Sequence, residues 1–332
     1  MKQKMIKSLL QTSGIALVLG MMVSCTEDLE VEAGTNPIIF TIDSDGLDER
    51  SGTTRGTQIT SITNFGVSAS VYEKDAVGGY TSAGCGSYFY NQSATNGSPM
   101  SYYWPSADYK ISFFAYCPYG SSDFTLQSAA DSNGSPTYTY TVPESVASQI
   151  DVMTVQCTDM ACGPHSAVAL SFAHRCVDIR FSAYNQQHEA LTVNSVSIYG
   201  VKYTGTLTGS SWDLTGLPNS SSSHPFTLSM TTNVASEATV DLTGATNHFM
   251  MLPQTIAAGT DLFVISTTED GDERTYIYTV PSGGFTWEMG KTYTYTLVLG
   301  NGNLTISAVS VENWDAVGFL TGMFSADDWT AQ

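Results

Sequence analysis

Apolar residues in this chain recur at every second position again and again, and a run of helical periodicity longer than two turns is hard to find. Side chains of an extended strand alternate between faces with period two, so this pattern confines the chain to sheets that bury one face. Ile38, Phe40 and Ile42 alternate in this way, as do Phe65, Val67, Ala69 and Val71, and then Ile111, Phe113 and Ala115. Further strands are read at 167–172, 177–183, 193–199, 226–230, 238–242, 261–266, 276–280, 292–299 and 304–311. Clusters of Gly, Pro, Asn and Asp divide them at the spacing of a sandwich, and Asp270-Gly271-Asp272 has the chemistry of a tight hairpin. The expected fold is all-β, with two β-sandwiches in tandem at 56–187 and 188–314. Their boundary is placed in the polar patch Asn185-Gln186-Gln187-His188-Glu189, while the serine-rich 218–224 reads as a surface loop.

The first residues carry a different signal. Lys2, Lys4 and Lys7 precede an apolar run from Ile15 to Val23, too short for the ~20 residues of a spanning helix but sufficient for an export signal. Residues 1–24 are therefore expected to be removed. Met22-Val23-Ser24-Cys25 resembles a bacterial lipobox, in which Cys25 is acylated and becomes the first mature residue. An ordinary secretory signal with a chance cysteine is the plainer alternative. Glu27, Asp28, Glu30 and Glu32 resemble the surface-export signal of Bacteroidetes lipoproteins, which implies the outer face of the outer membrane.

The chain has 12 basic and 31 acidic residues, a net charge of -19. Such a surface repels phosphate backbones and lacks the clustered Lys and Arg that nucleic-acid binding needs, so nucleic acid is excluded as a partner. Cys85, Cys117, Cys157, Cys162 and Cys176 follow Cys25; this odd number leaves at least one thiol free in a monomer. Buried free thiols are common core residues. Only Cys157 and Cys162 are close enough in sequence to invite a local bridge.

Catalytic patterns are missing. The sequence has neither a Gly-x-Ser-x-Gly elbow nor a His-Glu-x-x-His helix, and no enzyme activity is expected. Gly284 to Thr292 is one residue too long for a phosphate loop and reads as a turn into the strand at Tyr293. Cys157, Cys162, His165, His174 and Cys176 crowd together, but their spacing matches no zinc ribbon or finger, so neither a metal nor another cofactor is expected. The rings of Tyr88, Phe89, Tyr90, Tyr102, Tyr103 and Trp104 could stack on sugars, although alternation should send half or more of them into a core. A monomeric surface lipoprotein that binds glycans through this patch is the alternative reading.

Several segments line up with one family. Ile62-Thr63-Asn64-Phe65-Gly66-Val67, Trp104-Pro105, the stretch from Ile111 to Pro118, and Ser171 to Ile179 resemble the first domain of the Bacteroidales fimbrillins. Met251-Leu252-Pro253-Gln254, Trp287 to Tyr295 and Val309 to Trp314 resemble its second half, in the family's order. The resemblance implies a type V pilus subunit: a lipoprotein precursor of two transthyretin-like sandwiches. It also implies that a protease cuts after an arginine, removing an N-terminal strand and opening a groove for a neighbour's C-terminal segment. Stalk, tip and anchor subunits share these motifs.

The residues accommodate such a scheme. Between Cys25 and Lys74 the basic residues are Arg50 and Arg55, in a Gly- and Thr-rich stretch suited to proteolysis, with Arg55 preferred because it directly precedes the segment at 57–71. A plain loop holding two arginines is the competing reading. Cleavage there makes 25–55 a lipidated propeptide whose removable strand carries Ile38, Phe40 and Ile42. The expected donor is Leu304, Ile306, Val309 and Val311, with the apolar Val317, Phe319, Leu320 and Phe324 of the tail at 315–332. The expected partners are other fimbrial subunits, a host or bacterial surface ligand, and the outer membrane through the lipid.

Overall fold

The computed structural model describes residues 33–42, 62–74, 80–129, 136–162, 167–300, 302–314 and 324–325. Nearly all of this is strand; the helical element among the described residues is a 3-10 turn at Val146–Ser148. Cys25, Arg50, Arg55, His165, Val317, Phe319 and Leu320 lie outside the described residues.

In chain order the strands of the first half are β1 (Ala33–Ile42), β2 (Asn64–Lys74), β3 (Tyr80–Thr95), β4 (Pro99–Pro105), β5 (Tyr109–Cys117), β6 (Phe124–Ala129), β7 (Pro136–Thr141), β8 (Met153–Ala161), β9 (Val168–Leu170) and β10 (Ala173–His174). Then come β11 (Val177–Asn185), β12 (Leu191–Ile198), β13 (Thr204–Thr208), β14 (Ser211–Asp213), β15 (Phe226–Val234), β16 (Thr239–Asp241), β17 (Phe249–Met251) and β18 (Gln254–Ile256). The last are β19 (Asp261–Glu269), β20 (Asp272–Thr279), β21 (Phe285–Trp287), β22 (Lys291–Gly300), β23 (Asn303–Asn313) and β24 (Phe324–Ser325).

The buried apolar side chains form two clusters. The first lies between a five-stranded sheet, ordered β10-β8-β5-β2-β3, and a three-stranded sheet, ordered β4-β1-β9. Phe65, Val67, Ala69 and Val71 of β2 enter it alternately, as do Ile111, Phe113 and Ala115 of β5. Ser68 and Ser70 on the opposite face of β2 are buried too, so this strand is covered on both sides.

The second cluster is built mainly on the sheet β16-β11-β22-β23-β24 and the facing sheet β15-β12-β19-β20. Val177, Ile179, Phe181 and Ala183 of β11 point into it, as do Tyr293, Tyr295, Leu297 and Leu299 of β22. These two strands are parallel, with Asp178 opposite Thr292 and Asn185 opposite Leu299. The expected hairpin joins β19 to β20 through Asp270 and Gly271, both at positive φ (52° and 88°), the left-handed conformation that a two-residue turn of this kind demands.

Strands β6 and β7 follow the first-core strand β5 in sequence yet place Phe124, Tyr138 and Tyr140 in the second cluster, because β7 pairs with β13. β11 belongs there as well. The polar patch at 185–189, read from the sequence as a boundary, connects β11 to β12 within that same cluster. Asn185 is fully buried at its start and donates its amide to the carbonyls of Glu189 and Val234.

The local bridge between Cys157 and Cys162 does not form. Both thiols are free, as are those of Cys117 and Cys176. Cys157 lies within β8, and at about 3.3 Å rise per residue the strand carries the two α-carbons well past the ~7 Å that a disulfide spans. Burial raises the Cys162 thiol to about 12, which keeps it protonated.

Candidate assembly site

The expected removable strand occupies the middle of its sheet. β1 runs antiparallel to β4, with Pro37 opposite Tyr103, and parallel to β9, with Phe40, Thr41 and Ile42 opposite Val168, Ala169 and Leu170. Ile38 and Phe40 are fully buried, and Ile42 packs against the same cluster half-buried. The Phe40 ring meets Phe65 and Phe113 edge-on, with centroids 5.9 and 5.1 Å apart. Its carbonyl accepts from Gly97 N at 2.8 Å, and Ile42 N donates to Asn96 Oδ1 at 3.1 Å. Pro37 sits where the register with β4 shifts, a place that tolerates a residue without a backbone donor.

β1 is thus a strand whose neighbours on both sides depend on it. Without β1, β4 and β9 would lose the strand that pairs with both, and Phe65 and Phe113 the ring that meets them edge-on. Burial of a side chain like Phe40 or Ile38 contributes about 1.5–3 kcal/mol, so β1 carries a large share of this sheet's apolar cover.

At the other end of the chain, β23 pairs with β22 from Asn313 opposite Lys291 to Asn303 opposite Gly300. Leu304 and Val309 are buried in the second cluster, while Ile306 and Val311 pack against it half-buried. This part of the expected donor is a built strand of its own core. On its outer edge β23 pairs, among the described residues, with the short β24, Phe324 lying opposite Val309 and Ser325 opposite Ala308.

Where β23 ends, the structure brings together three of the motifs singled out in the sequence. The Trp314 ring lies on the His174 ring, with centroids 4.3 Å apart and planes within 1°. His174 Nδ1 lies 2.9 Å from a carboxylate oxygen of Asp151, and the two side chains are 1% and 0% exposed. Trp314 N donates to Gly290 O at 3.0 Å, and Gly290 N donates to Cys176 O at 2.9 Å. In the sequence His174 stands out only as one of five crowded Cys and His residues whose spacing fits no zinc site, and Asp151 carries no local signal, because its partner His174 is distant in sequence.

A second buried carboxyl side chain belongs to β11. Asp178 is fully buried, with Arg180 Nε and Nη2 at 2.8 and 2.6 Å from Oδ2, Thr292 Oγ1 donating at 3.1 Å, and His248 Nδ1 at 3.2 Å from Oδ1. Burial pushes the Asp178 carboxyl up, but the His248 and Arg180 contacts together outweigh it and hold the group below its ordinary value. Period-two alternation with Val177, Ile179 and Phe181 assigns Asp178 to the polar face of β11 beside Arg180 and Ser182, so its burial carried no sequence signal.

The aromatic stretch is divided by alternation. Phe89 and Trp104 are core residues, Tyr88 and Tyr102 pack half-buried against the first cluster, and Tyr90 and Tyr103 are exposed. Tyr88 Oη donates to Tyr103 O at 2.6 Å, tying β3 to β4. Among the described residues no group of three or more His, Cys, Asp or Glu is placed to hold a metal ion.

A family model described as fimbrillin-like matches residues 52–314. No curated protein matches the chain. Among solved structures, a fimbrial protein from Bacteroides vulgatus aligns with a TM-score of 0.57 at 18% identity, over 84% of this chain and 99% of that one. Proposed cell adhesion proteins from Bacteroides ovatus and Bacteroides uniformis, also 18% identical, align with TM-scores of 0.49 and 0.46. The first covers 85% of this chain and 98% of its own, the second 84% and 98%. At 18% identity the likeness to the Bacteroides vulgatus protein extends to the fold alone.

Proposed function

The chain belongs to the fimbrillin-like family, and on that premise we propose that it is a structural or adhesive subunit of a surface fimbria, assembled by strand exchange. In this reading it is exported as a lipoprotein through Cys25 and reaches the outer face of the outer membrane. A cut after Arg55, or after Arg50, then separates β1 from the remainder of the chain. The C-terminal segment of a second subunit enters the vacated place between β4 and β9, following the β-augmentation mode of recognition.

The observation that carries this reading is the position of β1. A strand near the start of the chain fills the centre of a sheet with Ile38 and Phe40 fully buried, and the basic residues in the sequence between it and β2 are Arg50 and Arg55. Because β23 is already built into the second core, the donor that sacrifices least of its own subunit is the segment after Trp314, with Val317, Phe319, Leu320 and Phe324 supplying its apolar side chains.

Treatment of the purified precursor with an arginine-specific protease tests the proposal. The expected result is a new N-terminus after Arg55 or Arg50, loss of the peptide bearing β1, and filaments in electron micrographs. Quantitative release of β1 with the protein remaining monomeric at high concentration would overturn it.

A further inference from the structure

Resting on the assembly reading above, we propose that the stack of Trp314 on His174 is a positioning joint that couples a subunit's acceptor groove to the root of its own donor segment. The contact lies between two elements with opposite assembly roles. Trp314 directly follows the last residue of β23, and the residues after it form the donor of that reading. His174 belongs to β10, at the edge of the five-stranded sheet of the first core.

The groove side reaches His174 over a short path. β9, the parallel neighbour of β1, ends at Leu170, and only Ser171 and Phe172 separate it from β10. The side chains follow the same course. Phe40 of β1 meets Phe65 at 5.9 Å, Phe65 meets Phe172 at 5.6 Å, and two residues further along the chain His174 meets Trp314 at 4.3 Å. Every ring on this path is buried. Close-packed interiors switch between discrete arrangements and do not yield smoothly, so a change in what fills the place of Phe40 is transmitted through Phe65 and Phe172.

The donor side is clamped as firmly. The backbone of Trp314 is tied to Gly290, Gly290 to Cys176, and the His174 ring is held by Asp151. The segment from His174 to Cys176 therefore touches the first core, the second core and the end of β23 at once. Arg175 strengthens it, with its amide donating to Val152 O at 2.7 Å and its carbonyl accepting from Trp212 Nε1 at 2.6 Å. A strand seated in the groove with a side chain of different bulk from Phe40 shifts this segment, and with it the direction in which the donor leaves its subunit.

A double-mutant cycle on the uncleaved full chain tests the joint without requiring assembly. Phe40→Leu perturbs the groove and Trp314→Phe weakens the stack; both are mild enough to leave a folded protein, and the unfolding equilibrium constant is read in urea. Independent sites at this separation give effects that multiply. Coupling through the joint makes the double variant depart from the product by about fivefold or more. Hydrogen exchange supplies a readout that a merely structural tryptophan would not move. Phe40→Leu is expected to speed exchange at 311–314 about tenfold while β12 and β19 stay unchanged, and His174→Ala is expected to abolish that transfer. Effects that multiply within twofold, or exchange at 311–314 indifferent to Phe40→Leu, would overturn the joint. Polymer ladders from the cleaved protein report separately on assembly: ladders with an additive cycle defeat the joint and leave strand exchange standing. Coupling in a chain that never polymerises removes the joint's assembly role and defeats the proposal as stated.

Discussion

Phe40 presents its ring edge to Phe113 with centroids 5.1 Å apart and planes at 88°, so a strand expected to be removable contributes a central side chain of the first core. Under the proposed strand exchange, this one contact would both stabilise the uncleaved chain and leave the cleaved one reactive. The apolar surface that Phe40 covers must be covered again by something else once β1 is gone.

Phe40→Ala is therefore expected to lower the stability of the uncleaved chain by about 3–5 kcal/mol, the usual cost of a cavity left by a buried phenylalanine. Urea unfolding followed by tryptophan fluorescence measures it. A loss below 1 kcal/mol would show that β1 is not the plug of this core.

Gly66 of β2 lies under the Tyr116 ring, and a Cβ added there would also stand 2.8 Å from Tyr119 Cδ2. The Tyr116 ring cannot swing aside freely, because its hydroxyl donates to Asn91 Oδ1 at 2.6 Å. Gly66→Ala is expected to destabilise by about 1–3 kcal/mol through overpacking. Thermal unfolding of the variant against the parent checks this, and an unchanged midpoint would contradict it.

Removal of the Asp178 carboxylate leaves His248 without its buried partner and Arg180 without its anchor. Asp178→Ala is expected to cost about 3–5 kcal/mol at neutral pH. Because the folded protein holds this carboxyl below its ordinary value, the stability it provides is present above the unfolded value of ~3.9 and is lost as pH falls through the lower folded value. Urea titrations from pH 5 to pH 2 should show a steeper acid loss in the parent than in Asp178→Asn. Parallel curves would remove Asp178 from the account.

Arg55→Ala, alone or with Arg50→Ala, is expected to leave the mature N-terminus uncut on cells, as read by mass spectrometry. Deletion of 315–332 is expected to leave a folded monomer, since the described part of β23 remains paired with β22, but one that forms no polymer ladder on a gel. An undiminished ladder from the truncated protein would sink the donor assignment.

The alternation of Phe65, Val67, Ala69 and Val71, or of Tyr293, Tyr295, Leu297 and Leu299, is a local property, and it identified strands and their buried faces directly from the sequence. Turn chemistry at Asp270-Gly271 was equally local, because the left-handed conformations it requires are intrinsic to those residues. Ile38 and Phe40 could be chosen as buried on the same grounds. The short strands β13, β14, β16, β17, β18 and β21 give weaker signals, since three to five residues barely establish a period.

Partner choice was decided only by the tertiary structure. β1 pairs with β9 and β11 with β22 across more than a hundred residues, and both pairings are parallel, so no adjoining turn announces them. The second core's claim on β6, β7 and β11, and the meeting of His174 with Trp314 and of Asp178 with His248, follow from how separate sheets fill one interior. Period two tells a residue which face it occupies; what lies against that face depends on close packing among segments remote in sequence.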